Sequence, residues 1–143
     1  FKSLTDLFLY MASRNENYNK IIKKNYKKKI ILIDRFVDST IAYQHHGMKI
    51  NRKLIDTLNN FILGSLTPDL TFLHTVNKKN LIKRLNLRKT KNRYDLFNYN
   101  FYRKVQNGFL KIAKNKKKYL IVDSNKSISD NKIKVINKIN KFL

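Results

Sequence analysis

The apolar positions at the start of the chain recur at the spacing of a helix. Four of them lie three or four residues apart and share one helical face: Leu4, Leu7, Phe8 and Met11. They predict a helix over residues 3–23. A continuous apolar run then covers residues 30–33 and ends at Asp34. This pattern is typical of a strand buried on both faces of a parallel sheet, so Asp34 is expected at the carboxyl end of that strand.

The rest of the chain alternates in the same way. The pattern predicts helices over residues 38–45, 52–63, 78–87 and 97–112, strands over residues 70–76 and 119–122, and a final helix capped by Ser129. Gly64 is expected to stop the second of these helices. Strands that alternate with helices predict an α/β fold, in which a parallel sheet is flanked by helices and ligands lie at the carboxyl ends of the strands.

The length and composition predict one folded domain. A chain of 143 residues falls in the range of a single domain, and 42% apolar residues suffice for a core. The sequence contains no cysteine, which excludes disulfides and thiolate metal sites and fits a reducing compartment. Its apolar runs are far shorter than the ~20 residues of a membrane span. We therefore expect a soluble, cytoplasmic protein with no membrane partner.

The charge is strongly positive, with 32 Lys and Arg against 9 Asp and Glu. Such an excess is typical of proteins that bind polyanions. However, Lys, Asn and Ile dominate the whole chain with 25, 19 and 16 residues, whereas Arg contributes 7. A bias spread over the entire chain favours an AT-rich coding sequence as its origin over a nucleic-acid site. The few Arg residues are therefore the more informative cations.

Residues 34–44 combine charged and small polar side chains directly after the first predicted strand. Asp34 and Arg35 begin the segment. The polar residues that follow share one helix face: Ser39, Thr40, Tyr43 and Gln44. Arg offers a planar fork to phosphate, a carboxylate can hold the water shell of a metal ion, and the polar face can contact a base edge. The alternative is an ion pair between Asp34 and Arg35 beside solvated polar residues, and spacing alone does not separate the two.

Two further groups carry candidate binding chemistry. Tyr10 and Arg14 lie four residues apart on the first helix, so a ring and a guanidinium project from the same face. The alternative for this pair is a core Tyr and a solvated Arg. The second group surrounds a polar loop and consists of Arg84, Arg88, Lys91 and Arg93. Mobile cations there can close over phosphates as a lid does, and the alternative is a solvated run of charges.

Together these segments resemble the bacterial thymidylate kinase family over essentially the whole chain. Residues 34–44 are similar to its signature Asp-Arg-aromatic-x-x-Ser-x-x-Ala-Tyr-Gln. Residues 10–14 look like the aromatic-x-x-x-Arg helix of the family, residues 66–71 like its Pro-Asp-Leu-Thr strand, and residues 92–95 like its lid. The resemblance implies a P-loop NTPase-type nucleoside monophosphate kinase fold. It also implies the transfer of a phosphoryl group from ATP to dTMP.

The resemblance implies that one group of side chains binds the thymine base. Tyr10 would stack on the ring, and Arg14 would donate to a thymine carbonyl. Thr40 and Gln44 would read the base edge with help from Ser39.

It assigns a second group to the sugar and the phosphates. Tyr43 would pack near the deoxyribose, and Phe109 would occupy the place of a family Tyr beside the sugar. Arg35 would hold the phosphate of dTMP, and Asp34 would help to organise Mg²⁺ through water. A lid at about residues 84–95 would supply Arg84, Arg88 and Arg93, of which Arg88 and Arg93 would contact the transferring phosphoryl group.

The chain departs from the family pattern at a few positions. Asn92 replaces an Asp and Asp95 a Glu of the lid, Thr75 stands where an Asp is common, and Phe109 lacks the hydroxyl of Tyr. These changes concern lid closure and the sugar contacts rather than the residues that would read the base.

The sequence contains no Gly-x-x-x-x-Gly-Lys-Ser/Thr loop for the phosphates of ATP, and it has 3 glycines in all. In the family this loop follows a first strand that lies between those ending at residue 34 and starting at residue 70. We therefore expect residues 1–143 to be the C-terminal two-thirds of a single kinase domain that lacks roughly two βα units, or about sixty residues. Such a piece is expected to fold poorly and to be inactive, whereas the full-length form would be a homodimer.

Two other functions remain open from the sequence. A kinase for another nucleotide or for a deoxynucleoside would use the same kinds of residues. A basic nucleic-acid-binding module would place Arg and aromatic residues along one stripe, but the Lys residues are dispersed, so no nucleic-acid partner is expected. A degenerate copy without activity is a further alternative.

Overall fold

The computed structural model describes residues 2–143, in which helices and strands alternate. The helices are α1 Ser3–Asn17, α2 Lys23–Asn25, α3 Val37–Thr40, α4 Arg52–Leu63, α5 Lys78–Asn86, α6 Tyr99–Ala113 and α7 Ile128–Asn140, and the strands are β1 Thr71–Thr75 and β2 Tyr119–Asp123. Two π-helical segments, Tyr18–Ile22 and Ile41–Gly47, extend α1 and α3, and a 3₁₀ turn covers Arg93–Leu96. Within this described part, no helix combines the length and apolar character of a membrane span.

The two strands form a parallel sheet, as the sequence predicts. Thr71 pairs with Tyr119 at one end and Thr75 with Asp123 at the other. Val122 in β2 is fully buried and Leu73 in β1 nearly so, because helices cover the sheet. The predicted α/β class, with a parallel sheet flanked by helices, is therefore confirmed.

The strand predicted over residues 30–33 is wrong. This segment is not part of the sheet, and the side chains of Ile30 and Leu32 are 69% and 86% exposed. A strand is defined by the ladder of hydrogen bonds to a neighbour, and in residues 2–143 the ladder joins β1 to β2. Without such a neighbour the apolar run forms no strand, and most of its side chains are exposed to solvent.

Local side-chain bonds set the helix ends. Asn51 accepts hydrogen bonds from the first backbone N–H groups of α4, and Gly64 ends this helix with a φ of 58°. The cap predicted at Ser129 is wrong, because Ser127 caps α7. Its hydroxyl oxygen accepts from the backbone N–H of Asp130 at 3.0 Å, and its O–H donates to the Asp130 carboxylate at 2.7 Å.

The core lies where α1, α4, α6 and the π-helical segment Ile41–Gly47 meet. Its buried members are Leu7, Met11, Ile41, Ala42, Ile55, Phe101, Val105 and Ile112. The π-helical segment packs closely on α6, since a Cβ at Gly108 would lie 2.5 Å from His46 Cδ2. This contact fixes the helix that carries the signature of residues 34–44 against the helix that follows the predicted lid.

Candidate functional site

Arg14 joins three parts of the chain at one point. From α1 its Nη1 donates to Asn59 Oδ1 in α4 at 2.7 Å, and its Nη2 donates to Thr40 Oγ1 in α3 at 2.7 Å. Nη2 also lies 3.3 Å from the carbonyl oxygen of Phe36. The structure therefore brings together Arg14 and Thr40, two of the predicted base-binding residues, and it contradicts the alternative of a solvated Arg.

The acceptors around Arg14 are uncharged. Burial lowers the pKa of Arg14 to about 10, so the guanidinium is still protonated at neutral pH. A buried cation with neutral partners favours ligands that offer oxygen acceptors. A base carbonyl is such an acceptor.

Asn59 is a site residue that sequence reasoning missed. It is 5% exposed, and its Oδ1 must face Arg14 because a guanidinium can only donate. Its Nδ2 is buried without a hydrogen-bond partner in the described chain. The sequence feature that could have identified Asn59 is its position between Ile55 and Leu63, as a polar residue on the apolar face of α4.

The hydroxyl of Tyr94 connects the predicted lid to two of the predicted base-binding residues. It donates to Asp6 at 3.1 Å, lies 3.0 Å from the hydroxyl of Tyr10, and accepts from Gln44 Nε2 at 3.5 Å. Burial, followed by the bond with Tyr10, raises the pKa of Tyr94 to about 12. Tyr94 therefore stays protonated at physiological pH. No role for Tyr94 was predicted from the sequence, although it stands in the lid pattern.

Asp6 was also missed. It is a buried carboxylate, 5% exposed, that forms an ion pair with Nη2 of Arg93 as well as the bond with Tyr94. The sequence feature that could have identified Asp6 is its position four residues before Tyr10, which places both side chains on one face of α1.

Tyr43 lies at the centre of an aromatic cluster. Its ring makes edge-to-face contacts with Tyr94, Phe101 and Phe109 at centroid distances of 5.4, 6.0 and 6.3 Å. The guanidinium of Arg35 lies 5.4 Å from the centroid of the Tyr43 ring, in cation–π range. Tyr43 and Phe109, both predicted to lie beside the sugar, are thus in contact. Arg35, predicted to hold the phosphate, lies over the ring of Tyr43.

Asp34 and Arg35 are both exposed, and the backbone of Arg35 is unusual. Its φ is 64°, in the left-handed region that side-chain-bearing residues seldom adopt. The ion pairs in residues 2–143 do not include one between Asp34 and Arg35. The alternative of a mutual pair therefore has no support. Ser39 is half-buried, and its backbone N–H donates to the Phe36 carbonyl at 3.1 Å.

The 3₁₀ turn Arg93–Leu96, named the lid turn because it lies in the predicted lid, is closed by two of the residues that depart from the family pattern. Asn92 Oδ1 accepts from the backbone of Tyr94 and Asp95, and the Asp95 carboxylate accepts from the backbone N–H of Asn92. Arg88 Nη1 pairs with Asp95 at 2.6 Å. The backbone N–H of Asn92, and then Arg88, lower the pKa of Asp95. Asn92 and Asp95 can therefore still form a reciprocal cap.

The three predicted lid arginines have separate partners. Arg93 contacts Asp6, whereas Arg88 contacts Asp95. Arg84 donates to the carbonyl oxygen of Ser124 at 2.6 Å, just after β2. Arg84 is thus bonded to the carboxyl end of the sheet and Arg88 to the lid turn itself.

Among the described residues, Asp34 suits a contact with Mg²⁺ through water. Asp34 is an exposed carboxylate, and the described residues contain no group of three or more side chains that could hold a metal directly. Because Mg²⁺ usually keeps several of its waters, a single exposed carboxylate suits a contact through water. Within residues 2–143, the glycines do not lie in a loop that could hold the triphosphate of ATP. Gly47 and Gly108 lie in helix contacts, and Gly64 ends α4, so the glycines form no backbone cradle.

A family model, curated relatives and a solved structure that match this chain all carry the same description. The family model "Thymidylate kinase" matches residues 1–135. A thymidylate kinase from Ehrlichia chaffeensis is 42% identical over 113 residues, which cover 78% of this chain and 54% of the relative. One from Mycoplasma capricolum is 38% identical over 128 residues, which cover 87% and 60%. The crystal structure of the thymidylate kinase from Ehrlichia chaffeensis matches with a TM-score of 0.74 and 33% identity, covering 98% of this chain and 66% of that one.

The fold is thus that of the α/β P-loop nucleoside monophosphate kinases. Within this class, the chain belongs to the thymidylate kinase family, as the resemblance of its motifs implied. It spans between about half and three fifths of the length of the curated relatives named above.

Proposed function

We propose that the protein containing these residues transfers a phosphoryl group from ATP to dTMP in a Mg²⁺-dependent reaction, and so supplies dTDP for dTTP synthesis. One observation carries the proposal. Side chains from α1, from residues 37–47 and from the lid turn converge on Arg14 and Tyr94, although they are far apart in the chain. The convergence provides a buried cation, hydroxyl groups, an amide and aromatic rings beside one another. A pyrimidine base needs the same set of contacts.

The base is bound through Arg14, Thr40 and Gln44. Arg14 donates to a thymine carbonyl, while Thr40 and Gln44 bond to the base edge with Ser39 beside them. Tyr10 is 42% exposed and stacks on the ring. The uncharged partners of Arg14 support this role, because a base carbonyl can share the guanidinium without displacing a counter-charge.

The sugar and phosphate lie towards Arg35. Tyr43 packs beside the deoxyribose with Phe109 behind it, and Arg35 offers its planar fork to the phosphate of dTMP. Asp34 contacts Mg²⁺ through water. Such transfers depend mostly on positioning and charge neutralisation, so Arg35 and the lid residues Arg88 and Arg93 contribute more than any general base. Arg84 also contributes to charge neutralisation, from its position beside the carbonyl oxygen of Ser124.

The binding site for the phosphates of ATP is proposed to include residues beyond these 143. Because the sequence contains no Gly-x-x-x-x-Gly-Lys-Ser/Thr loop, we propose that a Gly-rich loop outside it supplies this site and that residues 1–143 alone do not transfer phosphate. The test compares this segment with the longest polypeptide that contains it, by measuring ADP formation that depends on dTMP. Efficient turnover by the 143-residue segment would refute this part of the proposal.

The substrate is tested by ligand-induced stabilisation of that longest polypeptide. A ligand that binds only the folded state raises the unfolding temperature. We expect dTMP to raise it, and dCMP and thymidine to raise it much less at equal concentration. An equal or larger effect of dCMP or thymidine would favour a kinase for another nucleotide or deoxynucleoside.

We further propose that the longer protein is a cytoplasmic homodimer, as the family resemblance implies. Leu4 and Phe8 support this proposal, because they lie one helical turn apart on α1 and are 46% and 51% exposed. Sedimentation measurements on the full polypeptide and on a Phe8→Asp variant test it. The variant should be monomeric, and a monomeric wild-type protein would refute it.

A further inference from the structure

The ion pair between Asp6 and Arg93 differs from the others in residues 2–143. Two of those are exposed pairs four residues apart on one helix, and the third closes the lid turn. The Asp6–Arg93 pair instead joins α1 to the lid, and the adjacent bond from Tyr94 to Asp6 spans 88 positions. It is thus the ion pair among the described residues that holds two distant segments together.

The burial of Asp6 makes this contact specific. A carboxylate that is 5% exposed needs a cation and hydrogen-bond donors, because an unpaired buried charge is strongly unfavourable. Arg93 and Tyr94 supply both from consecutive positions of one 3₁₀ turn. Since the reciprocal cap of Asn92 and Asp95 stiffens that turn, a bond to Asp6 orients the turn as a unit.

The contact of Asp6 with the lid turn is also linked to the side chains that are proposed to bind the base. Asp6 and Tyr10 lie one turn apart on α1, and the Tyr94 hydroxyl bonds to both. Among residues 2–143, the bonds of the Arg93 side chain are made through Nη2, to Asp6 and Tyr94. Nε and Nη1 are thus left for the oxygens of a phosphoryl group.

We infer that Asp6 is a positioning residue that aims Arg93 of the lid at the phosphoryl group and couples it, through Tyr94, to the base-binding side chains. The inference rests on the proposed function. Asp6 itself touches neither the substrate nor the reacting atoms, and it acts by holding one edge of the guanidinium and the hydroxyl of Tyr94.

The test is an Asp6→Asn variant of the longest polypeptide that contains the segment. Asn still accepts the bond from Tyr94 but lacks the charge that pairs with Arg93. We expect kcat to fall by about 10- to 100-fold, as for other losses of positioning, with the KM for dTMP changed less than about threefold. Amide hydrogen exchange of residues 88–97, measured without nucleotide, should accelerate by at least about fivefold, because the lid opens more often.

Four companion variants separate positioning from general destabilisation. Asp56→Asn makes the same substitution in an exposed pair with Arg52 and should change neither kcat nor exchange in the lid. Asp6→Glu should restore part of kcat. The double variant Asp6→Asn with Arg93→Gln should be no slower than Arg93→Gln alone, since Asp6 acts through Arg93.

Three results would overturn the inference. These are equal behaviour of Asp6→Asn and Asp56→Asn, additive losses in the double variant, and faster exchange throughout the protein rather than in residues 88–97. Absence of dTMP-dependent turnover in the wild-type protein would instead refute the proposed function, while the exchange comparison would still decide whether Asp6 holds the lid.

Discussion

The guanidinium of Arg14 donates from Nη1 to Oδ1 of Asn59 at 2.7 Å, and this bond joins α1 to α4. Thr40 accepts from the other terminal nitrogen at the same distance. Arg14 is therefore fixed in position before any ligand binds. A donor that is fixed in advance binds a ligand more tightly than a flexible one, because little conformational entropy is lost on binding.

Replacement of Arg14 by Ala should weaken dTMP binding. Loss of a hydrogen bond from a charged group costs about 1.5–3 kcal/mol, which corresponds to roughly a 10- to 150-fold rise in the dissociation constant. Titration calorimetry with dTMP measures it, and circular dichroism checks that the variant is folded. The matched control is Arg52→Ala, which removes an exposed Arg paired with Asp56. An unchanged affinity of the Arg14 variant would count against the proposed function.

Asn59→Ala should destabilise the protein by about 1–3 kcal/mol, since the buried guanidinium of Arg14 loses an acceptor. Its exposed neighbour Asn60 is the matched control, because Asn60→Ala removes the same group from the same helix. Urea unfolding of both variants measures the difference. Equal stability of the two variants would show that the bond to Arg14 contributes nothing net.

Tyr94→Phe should cost about 1–2 kcal/mol near neutral pH, because the hydroxyl bonds to Asp6 and Tyr10 are lost. The contribution depends on pH. The folded-state pKa of Tyr94 is raised from 10.0 to about 12, so its stabilising effect is complete below pH 10 and is lost as the pH rises to about 12. The difference in unfolding free energy between wild type and variant should shrink over that range.

Arg14 titrates in the same range with the opposite sign. Burial lowers its pKa from 12.5 to about 10, so the cost of burying the charge is relieved as the pH rises above 10. Both proteins in the Tyr94 comparison keep Arg14, and its effect cancels in their difference. A difference that stays constant from pH 9 to the alkaline limit of folding would contradict the raised pKa of Tyr94.

Gly108→Ala should destabilise the protein by about 1–3 kcal/mol through overpacking. The added Cβ would lie 2.5 Å from His46 Cδ2, in the contact between α6 and the π-helical segment. Helix propensity alone predicts the reverse, because Ala is the better helix former. The control is Asn107→Ala at an exposed position of α6, which should be neutral or slightly stabilising, and thermal unfolding of both variants is the measurement. A stabilising Gly108→Ala would show that the two helices can separate without cost.

Secondary structure could be predicted where its signals are local. The helix predicted over residues 52–63 is observed as Arg52–Leu63, since both its Asn51 cap and Gly64 are encoded at its ends. The π-helical segments could not be foreseen, because their hydrogen bonds reach one residue further without changing the apolar pattern decisively. The run at residues 30–33 has the composition of a strand, but strand formation depends on a neighbour that composition does not provide.

Some of the residues that form the site could be predicted from the sequence, but the contacts among them could not. Sequence alone identified Tyr10, Arg14, Thr40 and Gln44 as candidate ligand-binding residues, because helical spacing and the motif of residues 34–44 are local in the chain. It could not identify Asn59, Asp6 or Tyr94, since an amide, a carboxylate and a hydroxyl each gain a role only from partners brought close by packing.

The amino-acid sequence by itself determined the class of fold, the approximate positions of the helices and the family, because periodicity, caps and motifs depend on neighbours within a few positions. Only the tertiary structure decided that a carboxylate on α1 contacts Arg93 and Tyr94 and that an amide on α4 accepts a hydrogen bond from Arg14. Those contacts join residues tens of positions apart, and burial makes them strong by removing the water that would otherwise compete for the same polar atoms.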